Sequence, residues 1–237
     1  MASLINRYGR SLLVSMQHLT EVRFLRLLSH EPHSIILDIG CGNGEFTVKV
    51  AEKVGAETTV GIERVWPSAK MASSKGIDII LGDASNIFPF KDEVFDVVIA
   101  NQVIEHLNNT DIFVKEIRRV LKKNGYCVVA TPNLAGLQNI FSLIMGYQPP
   151  TAHVSDELFA SGNPFNPDHN IVASHIAHRR IFTAPALKEL FQFHGLKCER
   201  ITGFGLHPLP PFISRLVTSS RYSPIIAIKA RKTPTHG

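Results

Sequence analysis

Short apolar runs and apolar stripes at helical spacing alternate along most of this chain. Leu4, Tyr8, Leu12, Met16, Leu19, Phe24 and Leu28 recur at helical spacing over residues 3–29, which predicts one or two leading helices. Residues 34–38 form a short apolar run closing on Asp38, the pattern of a strand buried on both faces. Phe46, Val50 and Val54 then share one side of a helix expected from Glu45 to about Val54. Further strands are predicted over 58–62, closed by Glu63, over 77–81, closed by Gly82-Asp83, over 95–100, ending at Asn101, and over 126–130. Phe113, Ile117, Val120 and Leu121 mark a helix before the last of these, and Asn124-Gly125 reads as its C-cap. Strands separated by helices of this length predict right-handed βαβ crossovers and a parallel α/β sheet.

The alternation fails over residues 134–180, which hold Pro149-Pro150, Pro164, Pro167 and four histidines, His153, His169, His175 and His178. An irregular stretch of that length inside a compact domain points to a functional lid or insertion. Regularity returns at Thr183, an N-cap candidate followed by Pro185, with Leu187, Leu190 and Phe191 on one side and Gly195 as the stop. Strands over 196–201 and 224–230 complete the pattern. The expected organisation over 1–237 is one domain: leading helices to 33, a core over 34–133, an insertion over 134–180, and a C-terminal part of the sheet over 181–232.

Composition changes this picture little. The 237 residues are 44% hydrophobic and 19% charged, with a net charge of +5, ordinary values for a globular domain. The basic pairs Arg118-Arg119, Lys122-Lys123, Arg179-Arg180 and Arg231-Lys232 are scattered, which argues against nucleic acid as a partner. Cys41, Cys127 and Cys198 lie far apart without metal-ligand spacing, as expected of reduced, buried thiols in a cytoplasmic protein. Arg7, Arg10, Gln17 and His18 interrupt the first residues where a secretion signal needs an apolar core. Residues 125–155 carry no Asp, Glu, Lys or Arg, yet Pro132, Asn133, Gln138, Asn139 and Pro149 break them too often for a membrane span.

The chemistry gathers at the predicted carboxyl ends of the strands, where open parallel sheets bind ligands. After Asp38 come Gly40, Cys41, Gly42 and Gly44, a glycine turn that lets a ligand approach the backbone. Its spacing, Gly-x-Gly-x-Gly, differs from the dinucleotide fingerprint. Glu63, followed by Arg64, stands 19 residues past Gly44, placed to accept two ribose hydroxyls. Asp83 and Ala84 offer a carboxylate and an N–H to the edge of an adenine, and Asn101 and Gln102 end the next strand. Four such groups in order point to a nucleoside-bearing ligand.

These residues resemble the class I S-adenosylmethionine-dependent methyltransferases. Residues 38–44 look like their first motif, Asp-x-Gly-x-Gly-x-Gly, Glu63 like their ribose acid, and Asp83-Ala84 like their adenine contact. Residues 95–98 and 103–107 look like their fourth motif, and residues 116–125 like the helix and turn before strand five. The resemblance implies a Rossmann-like, doubly wound, seven-stranded sheet, mostly parallel, with its last strand antiparallel. It implies S-adenosyl-L-methionine as cofactor, contacted by Asp38, Gly40, Cys41, Gly42, Gly44, Glu63, Arg64, Asp83, Ala84, Asn101 and Gln102.

The acceptor is less legible. Asn101-Gln102-Val103-Ile104 lacks the Asn/Asp-Pro-Pro-aromatic set of many nitrogen methyltransferases, which favours a hydroxyl or carbon acceptor. Glu105 and His106 either line the cofactor pocket or act in catalysis with His178, a histidine serving as general base. Gln102-x-x-Glu105-His106 also resembles the Glu-x-x-Glu-His that binds magnesium in ubiquinone-biosynthesis O-methyltransferases and small-RNA 2′-O-methyltransferases. Gln102 replaces the first glutamate, and no metal is assigned. Aromatic and apolar residues in the irregular segments (Phe141, Phe159, Phe165, Phe204, Phe212) suit a small-molecule or lipid-like acceptor. Residues 140–145 could touch a bilayer surface. An RNA 2′-O-methyltransferase using a divalent metal and a non-catalytic cofactor-binding protein are the alternatives; a monomer and a homodimer are both compatible with the chain.

Overall fold

The computed structural model describes residues 19–158, 161–164, 177–205 and 219–233. One seven-stranded sheet runs through it in the order β3-β2-β1-β4-β5-β7-β6. β1 (Ile35–Ile39), β2 (Thr58–Glu63), β3 (Asp78–Leu81), β4 (Phe95–Asn101) and β5 (Leu121–Pro132) run parallel to one another. β7 (Ile225–Lys232) lies between β5 and β6 (Leu196–Phe204), antiparallel to both. This is the Rossmann-like sheet expected, with the last strand reversed.

Period-two burial explains why the strands are apolar throughout. Leu37, Ile39, Val98, Ala100, Cys127 and Val129 pack on one face. Ile36, Val97, Ile99, Tyr126, Val128 and Ala130 pack on the other. The first face is covered by α3 (Thr110–Val120) and α5 (Ala184–Phe193), through Phe113, Ile117, Leu187 and Phe191. The second is covered by α1 (Glu45–Val54), through Val50 and Val54, and by Phe24, Leu27 and Leu28 at the end of the leading helix and in the turn after it. Residues 1–18, where most of the predicted leading helices fall, lie outside the described residues. A third, smaller cluster joins Cys41 to Ala72 and Ile77 beside α2 (Trp66–Ser73).

Two expectations need correction. The helix before β5 ends at Val120, not at Asn124-Gly125; Leu121 already pairs with Phe95, and pairing resumes at Tyr126 opposite Val97. Residues 122–125 bulge between those two pairings, with Asn124 in the left-handed region at φ 66°. Gly125 is required there because a Cβ would sit 2.9 Å from the Asp96 carbonyl. The insertion, in turn, is not wholly irregular: α4 (Leu137–Ile144) lies within it. Thr183 does cap α5, its hydroxyl accepting from Ala186 N–H at 3.4 Å.

Candidate active site

The sheet reverses its direction of growth between β1 and β4, and the cleft opens at the carboxyl ends of the strands on either side. Gly40, Gly42 and Gly44 adopt φ values of 75°, 55° and 80°, a left-handed run that only glycine tolerates cheaply. A side chain at Gly40 would strike Val103 Cγ2 at 2.6 Å, and one at Gly44 would strike Ala72 Cα at 2.9 Å. The turn is tied down by the acid at the end of β2. Glu63 accepts from Gly42 N–H at 2.9 Å and from Val65 N–H at 2.7 Å, one bond to each oxygen.

A cavity of about 260 Å³ lies above this turn. Gly40, Glu63, Arg64, Asp83, Ala84, Gln102 and His106 line it, all of them named by the sequence reading. Val103, Leu107, Ala177 and Arg179 line it as well and were not assigned. Arg179 was visible as one of several basic pairs and beside His178, and Ala177 carries no chemistry in its side chain. Cys41 does not face this cavity. Its thiol packs against Ala72 and Ile77, burial pushes its pKa up to about 12, and its N–H is bonded to the Ile62 carbonyl at 3.2 Å.

Asp38 sits beneath the glycine turn, 3% exposed, and accepts from the Thr47 hydroxyl at 2.6 Å. Burial raises its pKa to about 7; the Thr47 bond opposes the shift and the nearby Glu63 adds to it. At β4's end, Gln102 holds φ at 59°, a strained value for a residue with a side chain. Asn101 Oδ1 and Gln102 Nε2 are both buried without a hydrogen-bond partner. Buried amide groups in that condition are expensive unless a bound molecule satisfies them.

Beyond β4, one 3₁₀ turn (Ile104–His106) carries the second half of the site. Residues 177–180 strap across it. Arg179 and Arg180 N–H donate to the Glu105 carbonyl at 2.7 and 3.0 Å, and His106 Nδ1 lies 3.1 Å from the Ala177 carbonyl. A carbonyl only accepts, so Nδ1 carries the proton and Nε2 is the acceptor nitrogen of the neutral ring. Glu105 is 1% exposed and bonded to the Thr131 hydroxyl at 3.0 Å; burial pushes its pKa up to about 8. His178 donates through Nδ1 to the Thr151 carbonyl at 2.9 Å, and burial lowers its pKa to about 4. Its ring lies 5.1 Å from that of His106 and stacks at 4.5 Å on His153, a neighbour the sequence did not announce. The three groups Glu105, His106 and His178 do converge, with ligand atoms within 4.8 Å of one another. That spacing can hold a cation, which the substitution of Gln102 for a glutamate had argued against. His169 and His175 lie outside the described residues.

The methyltransferase domain family matches residues 37–129, from the first strand of this site through β5. Residues 37–129 carry a methyltransferase domain, on the fold of S-adenosylmethionine-dependent methyltransferases. It is 30% identical over 139 residues to a tRNA (carboxymethyluridine(34)-5-O)-methyltransferase of Arabidopsis thaliana, covering 56% of this chain and 32% of that one. It is 31% identical over 122 residues to the mitochondrial ubiquinone biosynthesis O-methyltransferase of Rattus norvegicus, covering 48% and 35%. The chain thus spans about a third of the length of these two relatives. A Thermotoga maritima structure, described as an S-adenosylmethionine-dependent methyltransferase and possible histamine N-methyltransferase, shares the fold with a TM-score of 0.64. It is 21% identical and covers 97% of this chain and 96% of that one.

S-adenosylmethionine is the cofactor of this domain, and the residues present fit it. The three left-handed glycines keep side chains away from the turn. The unpartnered Asn101 and Gln102 amides stand at the adjoining strand end.

Proposed function

We propose that this chain transfers the methyl group of S-adenosylmethionine to a hydroxyl, or to an acidic carbon, of a small-molecule or lipid-like acceptor. The observation that carries the reading is His106, held through Nδ1 on the Ala177 carbonyl and lining the same cleft as Gly40, Glu63, Asp83 and Gln102. Glu63 would take the ribose hydroxyls, Asp83 and Ala84 the adenine edge, and the Gly40–Gly44 turn the methionine tail. Asp38 would hold the ammonium through the backbone or a water molecule. The bound cofactor supplies a methyl group on a sulfonium that leaves as a neutral thioether. The protein's part is therefore alignment, exclusion of water and removal of one proton. His106 Nε2 accepts the acceptor's proton as oxygen or carbon takes the methyl, and buried His178 stays neutral beside it.

A second reading rests on the convergence of Glu105, His106 and His178. These three would hold a divalent cation, which would lower the pKa of a bound hydroxyl. RNA then becomes an acceptor to weigh, since one of the similar proteins is a tRNA methyltransferase.

Transfer of labelled methyl from S-adenosylmethionine to a total lipid extract, to a catechol and to total RNA tests both readings, with and without EDTA. Label in the lipid or catechol fraction, lost in His106→Ala while S-adenosylhomocysteine still binds, supports the first. Label in RNA alone, abolished by EDTA, supports the second. Binding of S-adenosylhomocysteine with label in no fraction makes the chain a binding protein.

A further inference from the structure

Helix α4 is built inside out. Its buried residues are polar: Asn139 is fully buried and Ser142 nearly so. Asn139 Nδ2 donates to the Asn133 carbonyl at 2.8 Å and to the Thr151 hydroxyl at 2.7 Å. The Ser142 hydroxyl donates to the Gln138 carbonyl at 2.8 Å and accepts from Asn163 Nδ2 at 3.1 Å. The helix is therefore anchored by hydrogen bonds, and its apolar side chains, half-buried Ile140 excepted, are left outside. Leu137, Phe141 and Ile144, one face at i, i+4 and i+7, are exposed, with Phe141 at 61% and Ile144 at 76%. Leu143 and Met145 widen that face. An exposed helical face normally carries charge, and this one has none, because residues 125–155 hold no Asp, Glu, Lys or Arg.

Its surroundings indicate what covers it. At the first turn, Leu137 N–H donates to the Tyr222 carbonyl at 3.1 Å. Tyr222 is itself exposed, and the Arg221 guanidinium lies 5.4 Å over its ring. A tyrosine and an arginine at the rim of an uncharged apolar face are the groups favoured at the headgroup level of a bilayer, where arginine also meets anionic lipid. Helix α4 also adjoins the candidate active site. Thr151, whose hydroxyl Asn139 bonds, gives its carbonyl to His178 Nδ1.

We propose that helix α4, with Arg221 and Tyr222 at its rim, docks the protein on an anionic bilayer surface and sets its site facing the lipid. The inference does not depend on which acceptor is methylated. Co-sedimentation of the full chain with vesicles of phosphatidylcholine and phosphatidylglycerol tests it. Wild-type protein is expected to pellet with them. Phe141→Asp and Ile144→Asp should each cut the bound fraction about tenfold or more, since each removes a large side chain from the acyl boundary. Arg221→Gln, or vesicles of phosphatidylcholine alone, should cut it roughly fivefold. Both aspartate substitutions fall at exposed positions, and unchanged melting midpoints check that the variants are folded. Wild-type protein left in the supernatant with both vesicle types overturns the proposal, as does binding indifferent to Phe141→Asp. A dimer in sedimentation velocity that Phe141→Asp dissolves, without vesicle binding, assigns the face to a second copy instead.

Discussion

Replacing Asp38 by asparagine separates what the buried acid costs the fold from what it gives the cofactor. Asp38 is almost fully buried, and among the described residues its carboxylate accepts one side-chain hydrogen bond, from Thr47, which an asparagine oxygen can still accept. Its pKa stands at about 7 in the folded chain, chiefly because burial disfavours the charge. In the unfolded chain it returns to the ordinary carboxylate range, near 4. Between about pH 4 and pH 7 the folded chain keeps a proton that the unfolded chain has lost. Stability therefore falls as pH rises through that window and levels off above it. At 1.36 kcal/mol per pH unit the full penalty at pH 8 is roughly 4 kcal/mol, an upper figure before the surroundings relax. A chain of this size shifts its melting midpoint by about 2–4 °C per kcal/mol. Ligand-free Asp38→Asn should thus melt about 5 °C or more above wild type at pH 8 and close to it at pH 4.5. S-adenosylhomocysteine, which bears the same ammonium, should reverse the order. It should bind Asp38→Asn about ten- to a hundredfold more weakly at pH 8, the loss of a charge-assisted contact. Titration calorimetry at pH 6.5 in two buffers of different ionisation enthalpy should show proton release on binding to wild type and none for the variant. An unaltered pH dependence of melting in Asp38→Asn, or undiminished affinity, refutes this account of the acid.

Two further expectations concern the frame. Gly44→Ala forces a left-handed φ of 80° on alanine and drives its Cβ to within 2.9 Å of the α2 backbone. It should cost about 2–3 kcal/mol in urea unfolding and weaken S-adenosylhomocysteine binding as well. Arg119 joins Glu116, Asp92 and the carbonyls of Phe88 and Phe90 behind the sheet. Arg119→Ala leaves the largely buried Glu116 without its cation and should cost about 2–3 kcal/mol in the same assay, with cofactor affinity unchanged.

The sequence was most informative where local chemistry and the fold agree. The β1 run, the glycine turn and the α1 stripe needed no distant partner to be read, and Glu63 follows from the spacing of one βαβ unit. Asn124-Gly125 misled because a helix C-cap and a bulge in a strand both call for a residue in the left-handed region, and only the Leu121–Phe95 pairing distinguishes them. Helix α4 escaped because its inward face is the polar one, so its apolar residues read as part of an irregular segment suited to a lipid-like acceptor or a bilayer surface. His106 and His178 were named together from the sequence, but the His153 ring stacked on His178 was illegible because it depends on the path of an insertion held by backbone carbonyls, at Thr151 and Ala177, that any residue could supply.

The position of β7 bears on how such a chain is made. The last strand in the sequence is inserted between two earlier ones, bonding β5 on one side and β6 on the other. Until residues 225–232 have been synthesised, β5 and β6 each present an open edge, one of them carrying the run Tyr126 to Ala130. Unpaired apolar edges of that kind recruit other chains. The sheet therefore closes late during translation, and a ribosome stalled before Ile225 would display an aggregation-prone intermediate with its cofactor turn already formed.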